Sequence, residues 1–351
     1  MKEYGSIIAA ENAKEEEDKL KSFVSAHPDD IAAGLKLGDI MREKGAPERA
    51  LRLHRPFLTR TKLPRATKKR VYRSIVKDYI ALKEYESAIN TARELLRLDN
   101  RDLKSYELLC LTYEESGKWK ETIGVREKIA RVTRKRDNKS LAILHSFLGK
   151  ELCSQAKNKE GLSHLQLALK LDENCAPALL FLGEITYKDG NPSEGMEYWY
   201  RLLKTDHAFL AFDKLEKAYY EQQTFSEAER MYTSFLEEHP DDIRALFKLS
   251  EIYERKGQAE DAIGLLAKIK EIDPNNISAR RGLIKLYLDA QQYDEVAKEV
   301  DEIGNLLEDH EPYKCSNCGF KLKEFEFRCP KCKNWMTVKK PRIFGAFLFL
   351  K

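Results

Sequence analysis

One spacing constrains this chain more than any other property: a pattern of residue types that returns at intervals near 34 through most of its length. Three passages show it plainly: "LLFLGEITYKDGNPSEGMEYWYRLLKTD", "LFKLSEIYERKGQAEDAIGLLAKIKEIDP" and "LEKAYYEQQTFSEAERMYTSFLEEHP". In each, a Leu stands beside a small residue or its substitute, and an aromatic or apolar residue follows three positions on. A break often marked by Gly comes next, then a second small residue, then a polar or Pro-containing turn. Registered on the slot after that Leu, the chain gives Gly38, Val76, Cys110, Gly149, Gly183, Glu216, Ser250 and Ile284, at intervals of 38, 34, 39, 34, 33, 34 and 34 residues. The two long intervals predict insertions, at Thr61–Arg70 ("TKLPRATKKR") and Val132–Ser140 ("VTRKRDNKS").

Order and period match the tetratricopeptide repeat, a pair of antiparallel helices A and B. The small slot lets the two helices approach closely, and a second slot on helix B (Ala50, Ala88, Gly161, Gly195, Ala228, Ala262) serves the same end. Tyr79, Tyr113, Tyr219, Tyr253 and Tyr287 fill the space between helices. Gly45, Gly117, Gly190 and Gly257 fall between A and B, where a helix C-terminus favours positive φ. Pro28, Pro240 and Pro274 end helix B. No single pair buries its apolar face alone, so the pairs must stack into a solenoid. The expected fold is all-α: a superhelical tetratricopeptide array over 1–303, with eight repeats after a partial one that supplies only its helix B ("AKEEEDKLKSFVSAHPDD").

The concave face of such an array is lined from helix A. Leu35, Asp39, Arg42, Arg73, Lys77, Leu180, Glu184, Tyr187, Tyr220, Phe247 and Glu251 occupy those positions. Two readings are open for the apolar ones: a grip for an extended or helical peptide, or packing against another element of the same chain. Both insertions are basic, through Arg65, Lys68, Lys69 and Arg70 and through Arg131, Arg134, Lys135, Arg136 and Lys139. Basic runs attract phosphates or an anionic membrane surface, but a solvated loop is the commoner role. No aromatic residues interleave there for base stacking, which argues against nucleic acid.

The end of the chain obeys a different rule. "YKCSNCGFKLKEFEFRCPKCKNW", Tyr313–Trp335, holds two Cys-x-x-Cys pairs separated by ten residues. The net charge of +4 divides into +8 from Tyr313 onward and −4 before it, so the basic excess belongs to this end. A tight turn within each pair points two thiolates at one place. Gly319 and Pro330 supply the backbone that such turns need. Between the pairs "GFKLKEFEFR" alternates, with Phe320 and Phe327 among its apolar positions, and suits a hairpin. Cys315, Cys318, Cys329 and Cys332 then form a tetrahedral four-sulfur site for one zinc or iron ion. No β-α-β pattern surrounds the pairs, against a redox dithiol. A module this short depends on its metal to fold. The organisation expected is a linker at 304–312, the metal module at 313–340 and a tail at 341–351 closing on the apolar "IFGAFLFL".

Other chemistry finds little footing. None of the seven histidines stands in a metalloprotease frame, and no nucleotide-binding or nucleophile-elbow motif occurs. Cys110, Cys153 and Cys175 are read as structural, and four thiolates held for metal suit a reducing compartment. No apolar run is long enough to span a bilayer.

A repeat array followed by "YKCSNCGF" and "CPKCKNW" resembles the lipopolysaccharide assembly protein B family, as does the early passage "LGDIMREKGAPERALRLHRPFL" at Leu37–Leu58. The resemblance implies a C-terminal rubredoxin-like module with the four cysteines as ligands. It implies packing of that module against the repeats, with roles for Trp335 and the groove residues. It implies an adaptor rather than an enzyme, acting at the cytoplasmic face of the inner membrane with the protease FtsH on the deacetylase LpxC, and gathering lipopolysaccharide assembly factors. The family carries an N-terminal transmembrane helix, whereas this chain begins beyond where it would lie and is expected to be soluble and cytoplasmic unless partners hold it at the membrane. Assembly with a second copy is open. Two other functions compete: a nucleic-acid-binding protein with a basic zinc ribbon, and an electron-transfer protein with redox-active iron.

Overall fold

A computed structural model describes residues 18–60, 63–310, 313–322, 329–332 and 337–339. It divides into two compact units, Met1–His207 and Ala208–Lys351. In the first, a lone helix α1 (residues 18–26) precedes five helix pairs: α2 (Ile31–Glu43) with α3 (Pro47–His54), α4 (Arg65–Ala81) with α5 (Tyr85–Leu98), α6 (Leu103–Glu115) with α7 (Trp119–Thr133), α8 (Asn138–Ser154) with α9 (Asn158–Leu171), and α10 (Ala176–Lys188) with α11 (Pro192–Leu203). In the second, α12 (Phe209–Glu221) pairs with α13 (Phe225–Glu238), α14 (Ile243–Arg255) with α15 (Ala259–Ile272), and α16 (Ile277–Asp289) with α17 (Tyr293–His310). A small sheet follows, built from β1 (Tyr313–Cys315), β2 (Lys321–Leu322) and β3 (Val338–Lys339) in the order β2-β1-β3.

Local chemistry sets these boundaries. Four A helices start at a side-chain cap, where Asp30, Asp137, Asp242 or Asn276 accepts a hydrogen bond from the backbone N–H three residues on. Every A–B turn passes through a residue of positive φ, seven positions after the small slot. Gly45, Gly117, Gly190 and Gly257 take it as expected. Lys83, Ala156, Gln223 and Gln291 take it too, at φ 57–62°. These four carry no glycine signal and were missed; only the register could have found them.

The slots do what the pattern requires. Ala50, Ala88, Ala228 and Ala262 are buried. A Cβ on Gly183 would stand 2.2 Å from the indole nitrogen of Trp199, so only glycine fits there without displacing the ring. Around it Leu179, Leu182 and Leu202 are almost wholly removed from water, each stabilising the unit by about 2 kcal/mol.

Three expectations need correction. The predicted insertions are in part added helix; in the second, Arg134, Lys135 and Arg136 lie in an exposed loop, as expected. The A helices α4 and α8 have 17 residues, whereas the other A helices have 13, so one extra turn accounts for most of each long interval. Arg65, Lys68, Lys69 and Arg70 accordingly lie in the first turns of α4, not in a loop. The expected linker at 304–312 is helical as far as His310, because the apolar spacing of α17 continues unbroken. Leu35 belongs to a core cluster with Leu51, Phe57, Val71 and Ile75 and is only 3% exposed, so most of its side chain faces the core and only its edge reaches the hollow it lines with Asp39 and Arg73. Residues 1–17, the tail at 341–351, Phe327 and Trp335 lie outside the described residues.

Candidate metal centre and protein-binding faces

The module is ordered around its first Cys-x-x-Cys turn. β1 runs into Cys315, the chain turns through Ser316–Cys318, and Gly319, at φ +72°, returns it to β2. Gly319 N–H donates to the Cys315 carbonyl, and Cys315 N–H donates to that of Phe320. The pairing is Tyr313 with Leu322 and Lys314 with Lys321, so a hairpin forms across the first knuckle; residues 323–328, within the stretch expected to form a hairpin between the knuckles, lie outside the described residues. On the other edge Lys314 pairs with Lys339 and Cys315 with Val338, which ties the start of the module to its end.

Four sulfurs converge there. The Cys315 and Cys332 sulfurs are 3.7 Å apart, those of Cys318 and Cys329 are 3.6 Å apart, and all four lie within 4.8 Å of one another. A disulfide would need about 2.0 Å. A tetrahedral ion with metal–sulfur bonds of about 2.3 Å places its ligands about 3.8 Å apart, which these separations match. Electrostatics points the same way. Burial raises the Cys315 thiol, but the Thr337 hydroxyl and the N–H groups of Cys318 and Asn317 outweigh it and bring the thiol down to about 6. Burial pushes Cys318 up to about 12, with the three neighbouring sulfurs acting in the same direction. Four thiols this close cannot all ionise without a cation between them, and with one they do. The residues present therefore fit a tetrathiolate ion. Phe320 packs on the cluster.

The remaining cysteines are of another kind. Cys110 is buried, and desolvation raises its thiol to about 11. Cys175 is buried 3.4 Å from the Ser146 hydroxyl, and Cys153 is half-buried.

The expected groove residues separate into groups. Arg42 is bound by Asp39 at 2.6 Å and by the buried Asp78 at 2.7 Å. Asp78 also takes a 2.6 Å hydrogen bond from His54 Nδ1, so Arg42, Asp39, Asp78 and His54 form one hydrogen-bonded network. His54 is buried, its ring against Gly38, and sequence reasoning overlooked it. Arg73 meets Asp102 at 2.5 Å, and Lys69 meets Asp99 and Asp102 at 2.8 and 3.2 Å. Against its partial burial, which raises it, bonds from Ser105, Arg73 and Lys69 hold Asp102 down at about 2. Leu180 and Phe247 are half-buried beside the cores of their own units, and Tyr187 lies tilted against Trp199. Lys77 and Tyr220 are exposed. Tyr220 packs edge-on to Phe225 and, with Ile252 and Arg255, lines a hollow of 250 Å³. No described helix is long and apolar enough to cross a membrane.

Comparison with known proteins agrees with this architecture. The tetratricopeptide-repeat family model matches residues 219–276 and 257–314. Lipopolysaccharide assembly protein B of Escherichia coli (strain K12) is 22% identical over 322 residues, covering 88% of this chain and 80% of that protein. The protein of the same name from Haemophilus influenzae is 22% identical over 333 residues, covering 92% and 82%. A match of that length outruns the 312 residues before Tyr313 and so reaches into the module. Among solved structures, MamA from Desulfovibrio magneticus aligns at 15% identity and a TM-score of 0.37, over 50% of this chain and 94% of that one. A chain of the Cut9–Hcn1 hetero-tetramer aligns at 15% and 0.33, over 80% and 54%. Scores this low add nothing to the case. With its helix pairs, its gathered cysteines and these relatives, this is a tetratricopeptide-repeat chain, similar along nearly its whole length to lipopolysaccharide assembly protein B.

Proposed function

We propose that this chain is a non-enzymatic adaptor that limits lipopolysaccharide synthesis. In this reading it presents the LpxC deacetylase to the FtsH protease at the cytoplasmic face of the inner membrane and gathers assembly factors there. The similarity along most of the chain to proteins named for lipopolysaccharide assembly, which in the Haemophilus influenzae relative runs into the cysteine module, carries the reading. Two features support it. Repeat arrays are binding scaffolds, and Tyr220 with Phe225 offers an apolar anchor beside Arg255. Cys315, Cys318, Cys329 and Cys332 would hold zinc or iron as a structural ion, leaving the module's exposed Lys314 and Lys331 free of any catalytic duty.

In the array the carboxylates of Asp99 and Asp102 already engage Lys69 and Arg73, so the nucleic-acid reading rests on the basic metal module, and salt-dependent retention on heparin or RNA is what would favour it. Crosslinked pull-down from the native host, comparing the wild type with Cys315→Ser/Cys318→Ser, tests the adaptor. Recovery of protease and deacetylase with the wild type, and their loss with the variant, is the expected result. An unchanged LpxC level after deletion of the gene would sink the proposal. Metal analysis bears on the electron-transfer reading, which a colourless zinc protein excludes.

A further inference from the structure

Two hollows lie side by side in the first unit, on the side formed by the B helices. The larger, of about 960 Å³, runs between α5 and α7 and is floored by α6. The other, of about 530 Å³, runs between the turn at Arg55–Thr59 and α5 and is floored by α4. Their floors are the same three positions of helix A, 34 residues apart: Tyr72, Ile75 and Tyr79 in one, Tyr106, Leu109 and Tyr113 in the other. One repeat further on, the equivalent residues are His145, Leu148 and Leu152, and the tyrosines are gone. Two troughs of one design therefore stand next to each other, and α5 is the ridge between them.

Their rims carry mainly one sign of charge. Arg93 and Arg97 of α5 border both troughs, Arg55 and Lys128 stand on the outer ridges, and Arg65 lines the larger one. All five are exposed. Only Glu94 and Glu121 oppose them in the two linings. Glu94 is held by Arg97, and Arg65 donates to the Leu98 carbonyl. Arg93 donates to the Tyr113 hydroxyl at 3.0 Å, and among the described residues Arg55, Arg93 and Lys128 meet no carboxylate. This surplus stands out in a chain whose first 312 residues carry −4. Cations without a carboxylate, set on the rim of a partly apolar trough, are matched by carboxylates that flank an apolar side chain.

Two rival ligands fit less well. Tyr113 is buried and Tyr72, Tyr79 and Tyr106 are half-buried, so none stands clear as a platform for a stacked base. A flat lipid surface would touch the ridges and leave the floors empty.

We propose that this face of the first unit is a docking surface for an acidic peptide segment of a partner protein. The carboxylates of the segment pair with Arg55, Arg93, Arg97 and Lys128, and apolar side chains between them enter the two tyrosine-floored troughs. The surface is built from the B helices, so it can be occupied together with the helix-A groove.

The probe is a short fluorescein-labelled peptide of alternating Glu and Asp around two central leucines, followed by fluorescence anisotropy with the full-length protein at low salt, where exposed charges are least screened. It should bind, and its counterpart with Gln and Asn in place of the acids should not. Arg93→Glu/Arg97→Glu, at two exposed positions, should weaken binding by at least about tenfold. Arg230→Glu, at an exposed position of α13, should leave it unchanged. Gly124→Trp tests the trough itself. A side chain there enters open space within the larger hollow, so it keeps the charge and should still weaken binding. Failure of the acidic peptide to bind overturns the proposal, as does undiminished binding by Arg93→Glu/Arg97→Glu or by Gly124→Trp. Tighter binding of a single-stranded RNA oligonucleotide, or of vesicles containing anionic lipid, that is lost in the same variants assigns the face to nucleic acid or to a membrane and overturns it as well.

Discussion

Leu179, Leu182 and Trp199 in the pair α10 and α11 are held by carbon packed on carbon, and a glycine is kept only so that the ring can seat. At the other end of the chain, the packed cluster contains Cys315, Leu322, Cys329 and Val338 with Tyr313, Cys318, Phe320 and Cys332 around them. Half of those residues are placed to be metal ligands, so among the described residues the module's packing centres on where an ion would sit. The repeats draw order from many small contributions, each replaceable. The module draws it from one.

That contrast can be broken most sharply at the ion. Chelation, or Cys329→Ser, should abolish amide protection across 313–339 and leave the helical circular dichroism of the array nearly unchanged; structural zinc contributes about 10–16 kcal/mol in small modules. A coincident collapse of both regions would show that the repeats depend on the metal too. The converse test is Gly183→Leu. Trp199 must move to admit the new side chain, and the first unit should lose about 3 kcal/mol in urea unfolding with metal content unaltered.

Acid sharpens the comparison within the array. Burial and the neighbouring His164, 3.0 Å away through the two Nδ1 atoms, press His145 down to about 4. A histidine whose pKa is lowered on folding binds fewer protons folded than unfolded, so its contribution is complete above about 6.5 and is lost as the pH falls toward 4. Thermal melts between pH 7 and 4.5 should fall by the equivalent of roughly 2 kcal/mol, and His145→Leu should flatten that slope. Last and smallest, Ala156→Gly should stabilise the first unit by about 0.5–1 kcal/mol, since a left-handed φ of 62° suits glycine better than alanine. An equal loss would mean that the entropy of the unfolded chain dominates at this turn.

How much of this was legible in the sequence depended on what wrote the signal. Slots, tyrosines and paired cysteines are chemical choices at fixed spacing, and they read directly. The extra turns of α4 and α8 did not, because "RATKK" and "NKS" look like loop; their helical state comes from continuation into the A helices that follow. Arg42 and Arg73 read as groove residues because nothing local reveals Asp78 or Asp102, which lie 36 and 29 residues further on. Leu35 sits at a groove position of helix A and was assigned there by period alone, whereas the turn at Arg55–Thr59 brings Phe57 against it.

The eight left-handed turns share one offset from the slot. Equivalent points in successive repeats therefore have the same backbone conformation whatever residue occupies them. Excising 224–257 would join Gln223 to Gln258, a helix-start residue to a turn that already expects one. The chain can in this way be shortened or lengthened in whole repeats without a new junction having to be invented. Its length is a quantity that gene duplication and deletion adjust in steps.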